Sequence, residues 1–145
     1  GYGAFYQFIS LKKFMTDTYY VGYDISPSMI REAKNKMPNI NFVCSDKILE
    51  NVDYVFISGT FNMAFDYSAK TWENYIFNQL NDCFSKTKKV LAFNLLFSET
   101  TKIENQLFYS DAKNIERYCN ENLGPCLIVK TPKLKNDITV YVRKN

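Results

Sequence analysis

Hydrophobic positions recur along the chain with two alternating periods, which predict helices and strands in turn. Apolar residues at helical spacing predict helices over residues 4–14, 27–37, 70–85 and 111–122. Runs rich in β-branched and aromatic residues predict strands over residues 18–23, 40–44, 52–58, 89–97, 126–131 and 138–144. Such an alternation of strands and helices is typical of a parallel sheet covered by helices on both faces.

Two features of the predicted strands define this fold further. Residues 52–58 and 89–97 are nearly continuous apolar runs, as expected for strands buried on both faces. The loop over residues 132–137 is too short for a crossover helix, so the last two strands pair antiparallel. The sequence therefore predicts one α/β domain over residues 1–145, a three-layer sandwich whose mostly parallel sheet ends in an antiparallel hairpin.

Two of the predicted helices carry capping signals. Ser26 is predicted to cap the helix that Pro27 opens, and Ser110 to cap the helix over residues 111–122. Gly124 follows this last helix and is expected to stop it.

Composition narrows the class of protein. Hydrophobic residues make up 46% of the 145 residues and aromatic residues 17%, so we expect a packed globule. No apolar run is as long as the roughly 18 residues of a membrane span, so no membrane partner is expected. A net charge of +3, with the lysines scattered, argues against nucleic acid as a partner. The oligomeric state is not predicted.

The cysteines and the absence of histidine limit the chemistry. The four cysteines include no C-x-x-C pair, so no metal site is expected. The apolar surroundings of Cys44, Cys83, Cys119 and Cys126 favour reduced core residues of a cytoplasmic protein. Because the chain has no histidine, any catalysis must work without the usual general base near neutral pH.

A carboxylate, Asp24, ends the strand before the Ser26-Pro27 helix start. Ser26 can cap that helix alone, so Asp24 is available for another role. Gly3 lies 21 residues earlier, and a carboxylate about twenty residues after a glycine turn can accept hydrogen bonds from both hydroxyls of a ribose. The alternative is that Asp24 only helps Ser26 to cap the helix.

The next two strand ends also carry residues suited to a ligand. Asp46 follows the strand over residues 40–44, where an acid can bind the amino group of an adenine. The small residues Ser58, Gly59 and Thr60 follow the third strand and leave space there. In open α/β sheets, ligands bind at the carboxyl ends of the strands, so three successive strand ends indicate one nucleoside site.

With these residues the chain resembles the class I S-adenosylmethionine-dependent methyltransferases over nearly its whole length. Four motifs carry the resemblance: Gly1-Tyr2-Gly3 matches the end of the glycine motif, "GYDIS" the acidic ribose loop, "CSD" the adenine loop and "FISGTFN" the strand and loop beside the methyl donor. The terminal hairpin also fits this family. The resemblance implies S-adenosylmethionine as cofactor and S-adenosylhomocysteine as product.

The resemblance also implies which residues contact each part of the cofactor. Asp24 would bind the ribose hydroxyls and Asp46 the adenine amino group. Gly1 and Gly3 would contact the methionine part. Ile25, Lys47 and Ile48 would lie at the adenine ring, and Ser58 and Gly59 at the sulfonium.

One part of the family pattern has no counterpart in this chain. In the family, a strand that ends in an acidic residue precedes the glycine motif, whereas this sequence begins at the end of that motif. We therefore expect the first strand to be missing, the chain to be a fragment of a longer protein, and cofactor binding by this chain to be weak or absent.

Methyl transfer from a sulfonium is an in-line displacement in which the protein mainly positions the acceptor and excludes water. The loops after residues 52–58 and 89–97 and the loop over residues 132–137 are expected to supply the acceptor side. Asp66 or Glu99 could serve as a base and Asn62 could contact the acceptor, with an ordinary exposed loop role as the favoured alternative for each. Short loops and a modest charge favour a small-molecule acceptor.

Two other functions stay open at this point. A nicotinamide dehydrogenase shares the glycine turn and the strand-end acid, but its fingerprint needs a third glycine where this chain has Tyr6. A methyltransferase fold without catalytic activity, kept as a binding module, is the second alternative.

Overall fold

The computed structural model describes residues 1–15, 17–130, 132–134 and 136–144. The chain divides into two compact units, Gly1–Ile48 and Leu49–Asn145. The α/β class predicted from the sequence is confirmed in both, while a single domain over residues 1–145 stays a prediction. Among the described residues, no helix is both long and apolar enough to cross a membrane.

The first unit is a small parallel βαβ motif preceded by a short helix. Its elements are α1 (Ala4–Ser10), a 3-10 helix (Lys13–Met15), β1 (Val21–Asp24), α2 (Pro27–Lys36) and β2 (Asn41–Cys44). Strands β1 and β2 pair in parallel, with Asp24 opposite Cys44. The first predicted helix is thus shorter than the expected residues 4–14, and Phe8 on it is 62% exposed.

A compact apolar cluster holds the first unit together. Ile30 and Ala33 of α2 pack against Phe42 of β2. The predicted cap of α2 is confirmed, since the Ser26 hydroxyl accepts a hydrogen bond from the Met29 amide. Among the described residues, β1 pairs with no strand other than β2. The absence of a first strand, as expected from the family pattern, stays a prediction.

In the part of it that the structure describes, the second unit is a six-stranded mixed sheet with two helices. Its elements are β3 (Val52–Ile57), α3 (Ala69–Lys86), β4 (Thr87–Ser98), β5 (Lys102–Glu104), β6 (Leu107–Asp111), α4 (Ala112–Asn122), β7 (Cys126–Lys130) and β8 (Asp137–Arg143). The long strand β4 is central: it pairs in parallel with β3 and β6 and antiparallel with β8, which pairs antiparallel with β7. The predicted terminal hairpin is therefore confirmed, while Thr131, at the end of the predicted strand 126–131, lies outside the described residues.

The core of this unit lies between β4 and its two helices. Leu91, Phe93 and Leu95 alternate along β4 and are at most 1% exposed. They share the core with fully buried residues of α3, β6, α4 and β8, namely Ile76, Leu80, Phe108, Ile115, Ile138, Val140 and Val142. Burial of this many apolar side chains is the main stabilising contribution to the unit.

Two expectations about this unit are wrong in detail, and two of its strands were not expected. Strand β3 buries Val55, but Tyr54 and Phe56 are each 53% exposed, because alternate residues of a strand point to opposite faces and only one face of β3 is buried. Helix α4 is capped by Asp111 rather than Ser110, since β6 extends through Ser110 to Asp111 in register with β4. Strands β5 and β6 were not predicted at all.

The cysteines are all free thiols, but they are not all core residues. Cys119 is buried, Cys83 and Cys126 are half-buried and Cys44 is exposed. Cys44 is the last residue of β2, and its position at the end of the strand leaves it exposed although it follows Phe42 by two residues and so lies on the same face.

Candidate functional site

In the first unit, Asp24 is the last residue of β1 and its carboxylate is held in place. Its Oδ1 accepts a hydrogen bond from the Ser26 amide at 2.7 Å, and its Oδ2 contacts the Gly1 amino group. Asp24 therefore supports the turn into α2, but the helix cap itself is the Ser26 hydroxyl. The local role at the helix start is thus observed for one of the two carboxylate oxygens of Asp24, namely Oδ1.

The surroundings of Asp24 keep it ionised. Partial burial on its own would raise the pKa of this carboxyl, but the hydrogen bonds from the Gly1 amino group and from the Ser26 amide outweigh it, and the pKa lies below its usual value. An ionised carboxylate is a strong hydrogen-bond acceptor, as a ribose diol requires.

The end of β2 lies beside the end of β1. The Ser45 amide donates to the Asp24 carbonyl at 3.1 Å, so the pairing of the two strands continues one residue beyond β2. The Ser45 hydroxyl then accepts from the Lys47 amide at 3.0 Å and so fixes the turn that presents Asp46. Asp24 and Asp46 thus follow neighbouring strand ends at one edge, as predicted.

The apolar residues predicted to contact an adenine ring differ in exposure. Ile25, next to Asp24, is 71% exposed, which is unusual for an isoleucine beside a folded strand and leaves an apolar surface free. Ile48 is half-buried, whereas Asp46 and Lys47 are exposed.

The two glycines at the start of the chain have different surroundings. Gly3 has φ 86°, a conformation that favours glycine, and a Cβ on it would also displace the end of the Met37 side chain. A Cβ on Gly1 would meet nothing within 4 Å, so packing does not require glycine at that position. Glycine at position 3 is therefore explained by the fold of this unit alone.

In the second unit, Ser58 and Gly59 follow β3 and are exposed. Gly59 has φ 70°, a conformation that favours glycine, and a Cβ on it would meet nothing within 4 Å. Its amide donates a 2.7 Å hydrogen bond to Oδ1 of Asn94 on β4. The open space beside Gly59 suits a residue that lies close to a ligand.

Sequence reasoning missed Asn94. The signal that could have identified it is a single amide in the apolar run "VLAFNLLF" of a strand predicted to be buried. Glu73 was missed for a related reason, since it lies within the apolar stripe of α3 yet is only 6% exposed. Its carboxylate accepts from Asn114 Nδ2 at 2.6 Å and from the Thr101 hydroxyl at 3.4 Å, so its role is to join α3 to α4.

The loop after β3 carries two of the three predicted catalytic residues. Asp66 is exposed, whereas Oδ1 of Asn62 is buried without a hydrogen-bond partner among the described residues. Phe61 is only 2% exposed and its carbonyl accepts a 2.8 Å bond from the Trp72 indole, so it belongs to the core. Phe65, by contrast, is 57% exposed and has φ 50°, which is uncommon for an aromatic residue.

The third predicted catalytic residue, Glu99, lies just after β4. It is exposed and lines a surface pocket of about 460 Å³ together with Tyr109 of β6. Lys102 and Glu104 border the same pocket and form an ion pair at 2.6 Å. Asp66 and Asn62 do not line this pocket, so the two predicted bases belong to different places in the unit.

The chain is similar to known methyltransferases in sequence and in fold. No family model matches it. It is 28% identical over 149 residues to a Mycobacterium tuberculosis (strain ATCC 25618 / H37Rv) protein named "Putative methyltransferase Rv1506c", an alignment that covers 99% of this chain and 89% of that protein.

Two solved structures illustrate the likeness of fold. Magnesium protoporphyrin IX methyltransferase (ChlM) from Synechocystis PCC 6803 with bound S-adenosylmethionine superimposes with a TM-score of 0.62 at 12% identity, over 88% of this chain and 60% of ChlM. The DhpI complex with S-adenosylhomocysteine gives 0.70 at 15% identity, over 99% of this chain and 72% of DhpI. This chain thus spans less than two thirds of ChlM.

These comparisons confirm the fold and the resemblance predicted from the sequence. The chain has the α/β fold of the class I S-adenosylmethionine-dependent methyltransferases, with a mixed sheet that ends in an antiparallel hairpin. The similarity to a protein named as a methyltransferase and to structures with the cofactor or its product bound supports the predicted enzyme class and cofactor.

Proposed function

We propose that this chain is an S-adenosylmethionine-dependent methyltransferase that transfers the sulfonium methyl group to a small-molecule acceptor. The enzyme class rests on the sequence relative and on the shared fold. Among the chain's own residues, the main support is the edge of the first unit where Asp24 and Asp46 follow two adjacent parallel strands. An ionised acid at one strand end and a second acid at the next match the two polar ends of an adenosine.

The first unit would bind the adenosine part of the cofactor. Asp24 keeps one oxygen on the Ser26 amide and has the other in contact with the Gly1 amino group, and this second oxygen would accept from ribose hydroxyls. Ile25 offers an exposed apolar side chain on which the adenine ring can pack. Asp46 would accept from the adenine amino group, with Lys47 and Ile48 beside the ring and Gly3 near the methionine part.

In the second unit, Ser58 and Gly59 would lie beside the sulfonium. The bound cofactor supplies an activated methyl group, so the protein needs to orient the acceptor and exclude water more than to provide strong acid or base chemistry. The absence of histidine from the chain is compatible with that requirement. Open space above Gly59 leaves room for the donor group.

The acceptor would be bound and deprotonated by residues of the second unit. Asp66 or Glu99 would take a proton from an oxygen or nitrogen acceptor, and Asn62 would contact the acceptor. The exposed ring of Phe65 is suited to a planar or apolar acceptor.

The four free thiols fit a reducing compartment, so we place the protein in the cytoplasm.

A titration of the ¹⁵N-labelled chain with S-adenosylhomocysteine, followed by NMR, tests this proposal. NMR detects dissociation constants up to about 1 mM, so it covers the weak binding expected if a first strand is missing. The shifted amides should be those of Gly3, Asp24, Ile25, Asp46 and Gly59. NAD serves as the matched control, because it shares the adenosine but belongs to the dehydrogenase alternative.

Each outcome of the titration has a defined meaning. Micromolar binding would support the proposal and show that a missing strand is dispensable. Millimolar binding at the same amides would support the proposed cofactor site and also the expectation that a missing first strand weakens binding. No shifts at millimolar S-adenosylhomocysteine, shifts at other residues, or preferential binding of NAD would refute the proposal. Transfer of a labelled methyl group to a component of a small-molecule extract would then separate an enzyme from a binding module without catalytic activity.

A further inference from the structure

The segment after β3 is anchored to the sheet by two side chains that no motif of the sequence singled out. Oδ1 of Asn94 accepts the Gly59 amide at 2.7 Å, and Nδ2 of the same side chain donates to Oδ2 of Asp137 at 3.0 Å. Asn94 therefore uses both ends of its amide at once. All three residues belong to the second unit.

The register of the strands explains why these groups meet. The β3/β4 pairing ends at Ile57 opposite Phe93, so Asn94 is the first β4 residue beyond it. Asp137 opposes Leu96 across the β4/β8 pair and lies diagonal to Asn94 on the same face, within reach of its side chain. The Asn94 side chain thus replaces the main-chain acceptor that a longer β3 would have found.

The direction of the hydrogen bonds fixes the Asn94 side chain. A carboxylate can only accept, so Asp137 must face the NH₂ group of Asn94, which leaves the amide oxygen for Gly59. Gly59 has no side chain of its own to hold it, and its φ of 70° lies in a region that glycine leaves readily. Without Asn94, the path of the backbone after β3 would be less strongly determined.

We propose that Asn94, oriented by Asp137, is a positioning residue that sets the conformation of the Ser58-Gly59 segment for cofactor binding. The inference rests on the proposed function, which puts this segment beside the sulfonium. Asn94 itself need not touch the cofactor. Its effect on binding passes through the Gly59 backbone.

An exchange of the two side chains tests this role. In Asn94→Asp, two carboxylates face each other and repel, although an acceptor for Gly59 is still present. In the double variant Asn94→Asp with Asp137→Asn, the carboxylate accepts from both Gly59 and the new amide, so both bonds return with the same direction at Gly59. Asn78→Asp, the same substitution at an exposed position of α3, is the matched control.

Three measurements on the full chain give the readout: amide hydrogen exchange of Gly59, the dissociation constant for S-adenosylhomocysteine, and the melting temperature. We expect Asn94→Asp to lose protection of the Gly59 amide and to bind at least about fivefold more weakly, which corresponds to the loss of roughly one hydrogen bond. The double variant should recover both properties, and Asn78→Asp should match the wild type.

The results separate this inference from the proposed function. If the wild type binds S-adenosylhomocysteine and Asn94→Asp lowers only the melting temperature, Asn94 is merely structural and the inference is wrong. Failure of the double variant to restore binding would also overturn it. If the wild type does not bind although its Gly59 amide is protected, the hydrogen bond stands, the proposed function fails, and the positioning role is refuted with it.

Discussion

Replacement of Asp24 by asparagine isolates the oxygen that the proposed site uses. The Asp24 Oδ1 bond to the Ser26 amide can be kept by the amide oxygen of asparagine, so the turn into α2 survives. The Oδ2 position becomes an NH₂ group, which can donate but cannot accept. The substitution therefore removes an acceptor and a charge from the open side of the site without removing the local support.

The expected magnitude follows from these interactions. A hydrogen bond to a charged acceptor contributes about 1.5–3 kcal/mol, so the loss of one such bond weakens binding by about 10- to 150-fold. Stability should change little, because the substitution removes only an exposed ion pair with the Gly1 amino group from the free protein, and such pairs contribute about 0–1 kcal/mol. Binding and stability are therefore expected to separate in this variant.

The assay is the S-adenosylhomocysteine titration by NMR, run beside urea unfolding of the same variants. Asp17→Asn, an exposed aspartate of the same unit, is the matched control and should leave the dissociation constant unchanged. If Asp24→Asn bound the ligand as tightly as the wild type, Asp24 would have only its local role at the helix start. A loss of binding accompanied by an equal loss of folded protein would likewise refute the reasoning.

Three further predictions concern stability and reactivity. Folding lowers the pKa of Asp24, so its charge stabilises the fold above the unfolded pKa of about 3.9, and this stabilisation is lost as the pH falls through the folded value. In urea unfolding, the difference in stability between the wild type and Asp24→Asn should therefore be constant from about pH 7 to 5 and vanish at lower pH. A difference that persists in acid would contradict this. Glu73→Ala should destabilise the protein by about 1–3 kcal/mol in urea unfolding, since it leaves the half-buried Asn114 amide without this acceptor, whereas Glu73→Gln should recover part of the loss. Burial raises the pKa of Cys83 to about 11 and of Cys119 to about 12, so at about pH 8 iodoacetamide should modify the exposed Cys44 first. Early modification of Cys119, seen by peptide mass spectrometry, would disprove this order of reactivity.

Local signals predicted the regular elements well. Ser26 followed by Pro27 identified the start of α2, and the short loop before β8 identified the antiparallel hairpin. These features depend on neighbouring residues, whose preferences are visible in the sequence. The fold class followed from the order of such elements.

Features that depend on distant partners were not visible. Strands β5 and β6 join through Asn105 and Gln106, which both have positive φ although neither is glycine, so no turn signal marked them. Asp111 rather than Ser110 caps α4 because β4 holds Ser110 in a strand. Neighbouring residues with similar capping preference cannot be ranked without that pairing.

In the candidate site, too, residues recognised from their neighbours were predicted and residues that depend on distant partners were missed. Asp24 and Asp46 were predicted because each follows a strand in the sequence, and parallel strands bring such ends together. Asn94 was missed because its partners, Gly59 and Asp137, are 35 and 43 residues away. A polar residue in a buried strand signals that a partner exists but does not say which one.

The loop after β3 is bonded to the start of β6 by a short stretch of antiparallel backbone. The Ala64 amide donates to the Gln106 carbonyl, the Phe108 amide donates to the Asn62 carbonyl, and Met63 bridges to Leu107. Two segments that are far apart in sequence thus form one rigid piece of surface. Under the proposed function, in which this loop contacts the acceptor, a change of acceptor would require both segments to be redesigned or transplanted together, since a new loop grafted alone would lack the strand that pairs with it.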